Sequence, residues 1–303
     1  MKEPVGIIGL GNMGGAMAGN LLAAGFRVVG LDIDQARLDQ FVGKGGEAAP
    51  SPAKVAAETD IVILSLPNVP ALEAVLAGPG GLLSEPRAGV ICVESGTFPL
   101  AAKQSARLAL AEVEMELLDC TVSGTGAQAQ ARDIVLYTSG PKEVLERCEA
   151  IFEAIARAHP RVGDFGAGSV MKFVSNLLVS AHTVAAAEAL TLAARCGLDP
   201  AATLRLLTAG AGNSRMLEIR GPMMVTRDYD QGSSHLDSLA KDTEIILAFA
   251  GEHSCPVPML ATAATVFRAA TSQHYSHLDP AVVREVLGSM AGLQPFGQGE
   301  KTE

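Results

Sequence analysis

Basic residues are scarce in this chain. Its 303 residues include 23 lysines and arginines against 33 aspartates and glutamates, a formal net charge of -10. A nucleic-acid partner needs a basic surface to neutralise phosphates. The acidic balance argues against such a partner and, on the same ground, against an anionic membrane. It leaves room for a small anionic substrate, which needs only a few local cations. Cysteine is sparse as well. Cys92, Cys120, Cys148, Cys196 and Cys255 are widely spaced, odd in number and form no CxxC pair. The pattern is no disulfide framework; it fits reduced, mostly buried thiols in a cytoplasmic protein, without the paired-residue signature of a catalytic cysteine. Metal-ligand clusters are also lacking. His274 and His277 are three apart with Asp279 nearby, but the carboxylate is off any matched spacing, so no metal is expected.

Targeting and membrane segments are not expected either. The opening MKEPVGIIGLGNMGGAMAG carries one lysine before small and apolar residues, yet Glu3 and Pro4 interrupt its basic end and its glycines suit a turn. The most apolar later stretch, 177–194, contains His182 and Glu188, which reads as a buried core helix. No internal repeat and no long disordered tract is present. The tail, 294–303, is polar, and fraying is expected there.

The length suits two domains. In the first half, short apolar runs at Val5–Ile8, 27–31, 61–66 and 90–93 alternate with helical patterns, and further strand candidates lie at 116–119 and 134–138. Such runs are covered on both faces in parallel sheets. After about Gly163 no β-rich run follows, and helical patterns occupy 167–196, Pro200–Ala209, 238–252, 258–273 and 280–288. The expected fold is therefore α/β: a Rossmann-type, doubly wound parallel sheet domain at 1–163, then an all-α domain at 164–303 reached through a long helix.

Gly9-Leu10-Gly11-Asn12-Met13-Gly14 is a GxGxxG. The hexamer alone is weak; following a strand and opening a helix makes it informative. The first glycine permits the tight turn, the second lets backbone approach a pyrophosphate, and the third lets the helix pack on the strand. Asp32 ends the second strand, where an acid accepts from the adenosine ribose hydroxyls and repels a 2′-phosphate. No arginine follows it immediately. The cofactor expected is NAD rather than NADP.

Lys172 and Asn176 are four apart on the long helix, with Ser169 one turn earlier and Val170, Phe173, Val174, Leu177 and Leu178 around them. Two readings stand for Lys172 taken alone. It is a lysine snorkelling to water, or a desolvated amine with a lowered pKa that exchanges a proton with a substrate hydroxyl. Arg215 and Arg220 read as solvated helix residues by default, with approach to the site and pairing with a carboxylate as the alternative.

Four stretches together resemble the β-hydroxyacid dehydrogenases, the 3-hydroxyisobutyrate dehydrogenase-like family: GLGNMG at 9–14, DCTVSGTGAQA at 119–129, GAGSVMKFVSN at 166–176 and LAKD at 239–242. They span about residues 4–290 in the family's order. The resemblance implies that Lys172 is the catalytic acid/base and that Asn176 holds substrate. It implies that Ser123 and Gly124, with Thr125 beside them, bind the substrate carboxylate. It implies that Thr97 and Lys241 contact the cofactor near the nicotinamide, and that Leu66 and Pro67 line the same site. The activity implied is hydride transfer between NAD and a small β-hydroxy acid, a CH–OH donor. A cleft between the two domains is expected to exclude water, and the strongly apolar segments of the helical half point to a homodimer or homotetramer.

Three positions depart from the family pattern: Gly96 stands for the usual serine, Thr125 for a second glycine, and serine near Ser233-Ser234-His235 for phenylalanine. They put the substrate, not the reaction class, in question. Reduction of glyoxylate or succinic semialdehyde is the alternative within the family. A non-catalytic NAD-binding protein is the alternative outside it, disfavoured by the retained lysine and the acidic charge. The 6-phosphogluconate dehydrogenases typically carry histidine where this chain has Ser175, and imine reductases usually lack the lysine.

Overall fold

The computed structural model describes residues 2–230 and 234–294. The chain opens on β1 (Val5–Ile8), all buried. There follow α1 (Asn12–Ala23), β2 (Val28–Leu31), α2 (Gln35–Gly43), β3 (Glu47–Ala48), α3 (Pro52–Glu58), β4 (Ile61–Leu64), α4 (Val69–Ala77), β5 (Ile91–Glu94) and α5 (Leu100–Ala111). Next come β6 (Glu116–Ser123), α6 (Gly126–Gln130), β7 (Val135–Ser139), α7 (Lys142–Arg147), α8 (Glu149–Ile155) and β8 (Arg161–Gly163). Helices complete the chain: α9 (Ala167–Arg195), α10 (Pro200–Ala209), α11 (Arg215–Thr226), α12 (Leu236–Glu252), α13 (Pro258–Ser272), a 3₁₀ turn at Pro280–Val282 and α14 (Val283–Met290).

The eight strands form one sheet in the order β3-β2-β1-β4-β5-β6-β7-β8. Ile7 sits beside Gly30 on one side and Ile63 on the other, so β1 is central. Successive strand residues point to opposite faces, and both faces are filled. Val5, Ile7, Ile61, Ile63, Ile91 and Val93 face α1 and α8 through Met17, Leu21 and Phe152. Ile8, Val62, Leu64 and Cys92 face the other way, onto Val55, Leu72 and Leu110 of α3, α4 and α5. Burial on both faces explains why these strands read as unbroken apolar runs. Each such side chain contributes about 1.5–3 kcal/mol.

The sheet is not wholly parallel, as expected from sequence, but mostly so. β6 and β7 pair antiparallel, with Cys120 opposite Thr138. The link 124–134 holds only the short α6 and falls below the dozen or so residues a parallel crossover needs. β6 is also longer than the expected 116–119: it runs through Thr121 and Val122 to Ser123. β3 and β8 give no apolar run because their residues are mostly exposed. The strand order reverses at β1 and β4, which is where the carboxyl ends of an open α/β sheet leave a crevice for a ligand.

The compact units are Met1–Lys172 and Phe173–Glu303. The division runs inside α9 rather than ahead of it at 163/164. The helical unit packs Val184, Ala187 and Leu190 of α9 against Leu217, Leu239, Phe267 and Val283. α9 is long and apolar enough to cross a membrane, a property it shares with the core helices of globular domains. Those packed residues, with Ser180 Oγ 3.1 Å from Thr243 Oγ1 on α12, give it the partners of a core helix. Arg220 is not the solvated residue read by default. It is 5 % exposed and donates Nε to Asp279 (3.1 Å) and Nη1 to Thr183 (2.8 Å). Asp279 also accepts from Ala281 N–H (2.9 Å), capping the turn at Pro280–Val282. Arg215 is exposed and pairs with Glu218. Ser233 and the tail 295–303 lie outside the described residues.

Candidate active site

The three glycines of the cofactor motif meet different surroundings. Gly9 has φ +93°, a left-handed conformation that disfavours any side chain, and a Cβ there would lie 2.2 Å from the Ser65 carbonyl oxygen. A Cβ on Gly14 would lie 1.9 Å from the Gly9 carbonyl oxygen. The glycines at 9 and 14 are thus required by the close packing of loop, helix and β4. At Gly11 a Cβ would meet only Arg37 Nη1, at 3.4 Å, so this face of the loop is left open for backbone approach. Gly11 is the N-cap of α1 and supplies no capping side chain, and the first turn, with Asn12 and Met13, carries no acid. Its N–H groups and the helix dipole therefore favour an anion there.

Asp32, directly after β2, is half-buried. It accepts from Leu10 N–H (2.6 Å) and Asp34 N–H (2.8 Å), which ties the glycine loop to the acid. These residues fit a dinucleotide, with pyrophosphate on the α1 N-terminus and a ribose at Asp32. Sequence reasoning weighed only the residues immediately after Asp32 and missed Arg37. The signal was available: α2 starts at Gln35, so Arg37 lies in its first turn, beside the loop.

The other expected positions in this unit cluster at the carboxyl ends of neighbouring strands. Leu66 and Pro67 follow β4, Thr97 follows β5, and Ser123 ends β6. Gly124 takes φ +140°. Thr125 does something else as well. It is the N-cap of α6 in a reciprocal box: its Oγ1 accepts from Gln128 N–H (3.3 Å) and its own N–H donates to Gln128 Oε1 (3.0 Å). The cap uses the Thr125 N–H and a lone pair of its hydroxyl and leaves the hydroxyl hydrogen out, so capping and the expected contact with the substrate carboxylate are chemically compatible.

Lys172 lies half-buried on α9. Asn176, one turn on, is 6 % exposed, and its Nδ2 donates to Asp242 Oδ2 (2.8 Å) on α12. Lys241 Nζ stands 3.2 Å from Asp242 Oδ1. Asp242 thus joins two of the expected site residues. It was missed as a site residue although it closes the LAKD stretch.

Comparison with known proteins places both halves of the chain in described families. Residues 4–168 match the family described as the NAD binding domain of 6-phosphogluconate dehydrogenase. Residues 166–287 match the family described as NAD-binding of NADP-dependent 3-hydroxyisobutyrate dehydrogenase. The chain is 36 % identical to an L-threonate dehydrogenase of Cupriavidus necator, over 94 % of this chain and 96 % of that one. It is 33 % identical to a 2-(hydroxymethyl)glutarate dehydrogenase of Eubacterium barkeri, over 97 % of each. A crystal structure of 3-hydroxyisobutyrate dehydrogenase from Salmonella typhimurium superposes with a TM-score of 0.86 at 30 % identity, covering 94 % of this chain and all of that one. With loop, sheet order and both halves in agreement, the chain belongs to the β-hydroxyacid dehydrogenase family, the nicotinamide-dependent oxidoreductases of small hydroxy acids.

Proposed function

We propose that this enzyme oxidises a small β-hydroxy acid with NAD and that Lys172 moves the hydroxyl proton. The observation that carries the reading is the placement of Lys172 one turn after Ser169, whose N–H and hydroxyl bond to Asp119 on β6, the strand that ends at Ser123. In this reading the Ser123 hydroxyl and Gly124 N–H hold the substrate carboxylate, and neutral Lys172 takes the hydroxyl proton as a base. Bound NAD supplies the hydride acceptor. Asn176, kept in one orientation by Asp242, holds the substrate, and Lys241 with Thr97, Leu66 and Pro67 contacts the nicotinamide end. In the reductive direction charged Lys172 returns the proton. Asp32 supports NAD over NADP, since its carboxylate would face a 2′-phosphate.

The unpaired cysteines support a reducing, cytoplasmic setting. The apolar segments of the helical half are the ground for including a homodimer or homotetramer in the proposal; a monomer in light scattering would contradict it. The test of function is a turnover screen with NAD and with NADP over L-threonate, 2-(hydroxymethyl)glutarate, 3-hydroxyisobutyrate, L-serine and D-glycerate, with glyoxylate and succinic semialdehyde in reverse. Turnover of one small acid with NAD is expected. Tighter binding of NADPH than NADH would overturn the role of Asp32.

A further inference from the structure

Two buried ionic side chains in the sheet unit, Lys103 and Glu94, have no part in the roles assigned above, and a third, Asp119, enters them only as the partner of Ser169. Lys103 on α5 shares its helix face with Ala106 and Leu110, at the i, i+3, i+7 spacing of a core-facing stripe. Its side chain is fully buried, as are those of Glu94 at the end of β5 and Asp119 in β6. Lys103 Nζ lies 2.5 Å from Glu94 Oε2, donates to Asp119 Oδ1 (2.7 Å) and donates to the Gly96 carbonyl (2.7 Å), so all three ammonium hydrogens have a direction. Burial opposes the charge on Lys103, but the two carboxylates outweigh it and hold the ammonium above its ordinary value. Burial pushes the Glu94 carboxyl up. Apolar residues can often replace such a cluster without loss of stability. Stability alone therefore leaves it unexplained.

Its outer bonds give the explanation. Asp119 Oδ2 accepts from Ser169 N–H (2.7 Å), and Oδ1 accepts from Ser169 Oγ (2.9 Å). Ser139 Oγ, 2.8 Å from the Asp119 carbonyl, accepts from Gly168 N–H (3.0 Å). Thr121 Oγ1 donates to the Gly168 carbonyl (2.8 Å). The first turn of α9 is thus capped from β6 and β7, with a carboxylate at the positive end of the helix. Asp119, Thr121 and Ser123 alternate along β6 and share one face. On the other side of Lys103, Glu94 Oε1 accepts from Gly96 N–H (2.7 Å), next to Thr97. A Cβ on Gly96 would lie 2.8 Å from that same Oε1 and 2.6 Å from the Phe98 ring. Glycine in place of the family's usual serine gives the Glu94 carboxylate room to turn back onto this loop.

We infer that Asp119, braced by Lys103, is a positioning residue that registers the first turn of α9, and with it Lys172, against the Ser123–Gly124 end of β6 and the Gly96–Thr97 loop. The inference rests on Lys172 as acid/base. The arrangement it describes sets the distance between proton acceptor and carboxylate seat without touching substrate, and a misplacement of about 1 Å at such a group costs on the order of 100-fold in rate.

The experiment compares Asp119→Asn, Ser169→Ala and Lys172→Ala with the unaltered full chain, using NAD and the acid best oxidised in the screen. For Asp119→Asn a fall in kcat of at least ~10-fold is expected, a fraction of that rate penalty. KM for the acid and Kd for NADH should stay within about threefold, and amide exchange over 167–172 should quicken, since the capping charge is gone. Ser169→Ala keeps the N–H bond and loses the hydroxyl bond, so a smaller fall in kcat alone is expected. Unaltered kcat in folded Asp119→Asn overturns the inference. So does a parallel loss of kcat, KM and Kd that follows Tm, because general loosening produces that. If Asp119→Asn does not fold, Ser169→Ala decides by the same split, and unaltered kcat there overturns it. Unaltered turnover in Lys172→Ala sinks the reading of Lys172 instead; exchange over 167–172 in Asp119→Asn then decides whether the turn is held at all, and unchanged exchange overturns it.

Discussion

A methyl group on Gly14 and one on Gly11 would meet very different surroundings, although both belong to one motif. The first would collide with the backbone oxygen of Gly9 at 1.9 Å, whereas the second would meet only the end of the flexible Arg37 side chain at 3.4 Å. Gly14→Ala should therefore destabilise the fold, by the ~1–3 kcal/mol typical of overpacking or more. Gly11→Ala should leave stability within about 0.5 kcal/mol, as for surface changes, yet weaken NADH binding because its methyl occupies the face open to the pyrophosphate. Urea unfolding and NADH fluorescence titration separate the two. A stable Gly14→Ala, or a Gly11→Ala that binds NADH normally, would contradict the assignment of the loop. Arg220 belongs to the same scale. Its periodicity gave no warning of burial, because its partner Asp279 is far away in sequence.

At the scale of elements, α6 shows how a change of residue is absorbed locally. Thr125, where the family usually has glycine, closes a reciprocal cap with Gln128. Losing a Thr cap to alanine costs ~0.5–2 kcal/mol, and to glycine only a few tenths. Thr125→Ala should therefore lower the unfolding midpoint more than Thr125→Gly, and equal effects would show that the box contributes nothing. The central strands were legible because double burial leaves an unbroken apolar run, and α9 and α13 because their apolar positions recur along a helix. The antiparallel turn from β6 to β7 was not, since Cys120, Thr121 and Val122 are as buried in either direction. Lys172, Asn176 and the glycine loop were legible as motifs in order. Lys103 and Asp242 were not, because a buried charge is identified by partners that sequence spacing does not show.

For the molecule as a whole, three thiols lie inside the sheet unit and two outside it. Cys92, Cys120 and Cys148 are buried, while Cys196 and Cys255 are exposed. Burial pushes the thiols of Cys92 and Cys148 from 9.0 up to about 12, and that of Cys120 is raised by burial first and by the Asp119 charge next. A disulfide reagent at pH 8 should count two thiols in the native protein and five in denaturant. Above pH 9 the unfolded chain releases these protons while the native one keeps them. The unfolded state then binds fewer protons, so stability falls as pH rises from about 9 towards 12. Five reactive thiols in the native state, or stability flat across that range, would contradict the burial described.

In the proposed reaction Lys172 carries the proton that accompanies hydride transfer. The most direct test of this role is Lys172→Ala with saturating NAD and the preferred acid, read as kcat beside Kd for NADH. Acid–base groups contribute ~100- to 10,000-fold, so a fall in kcat of at least ~100-fold with NADH affinity kept is expected. Turnover equal to that of the unaltered enzyme would contradict the claim.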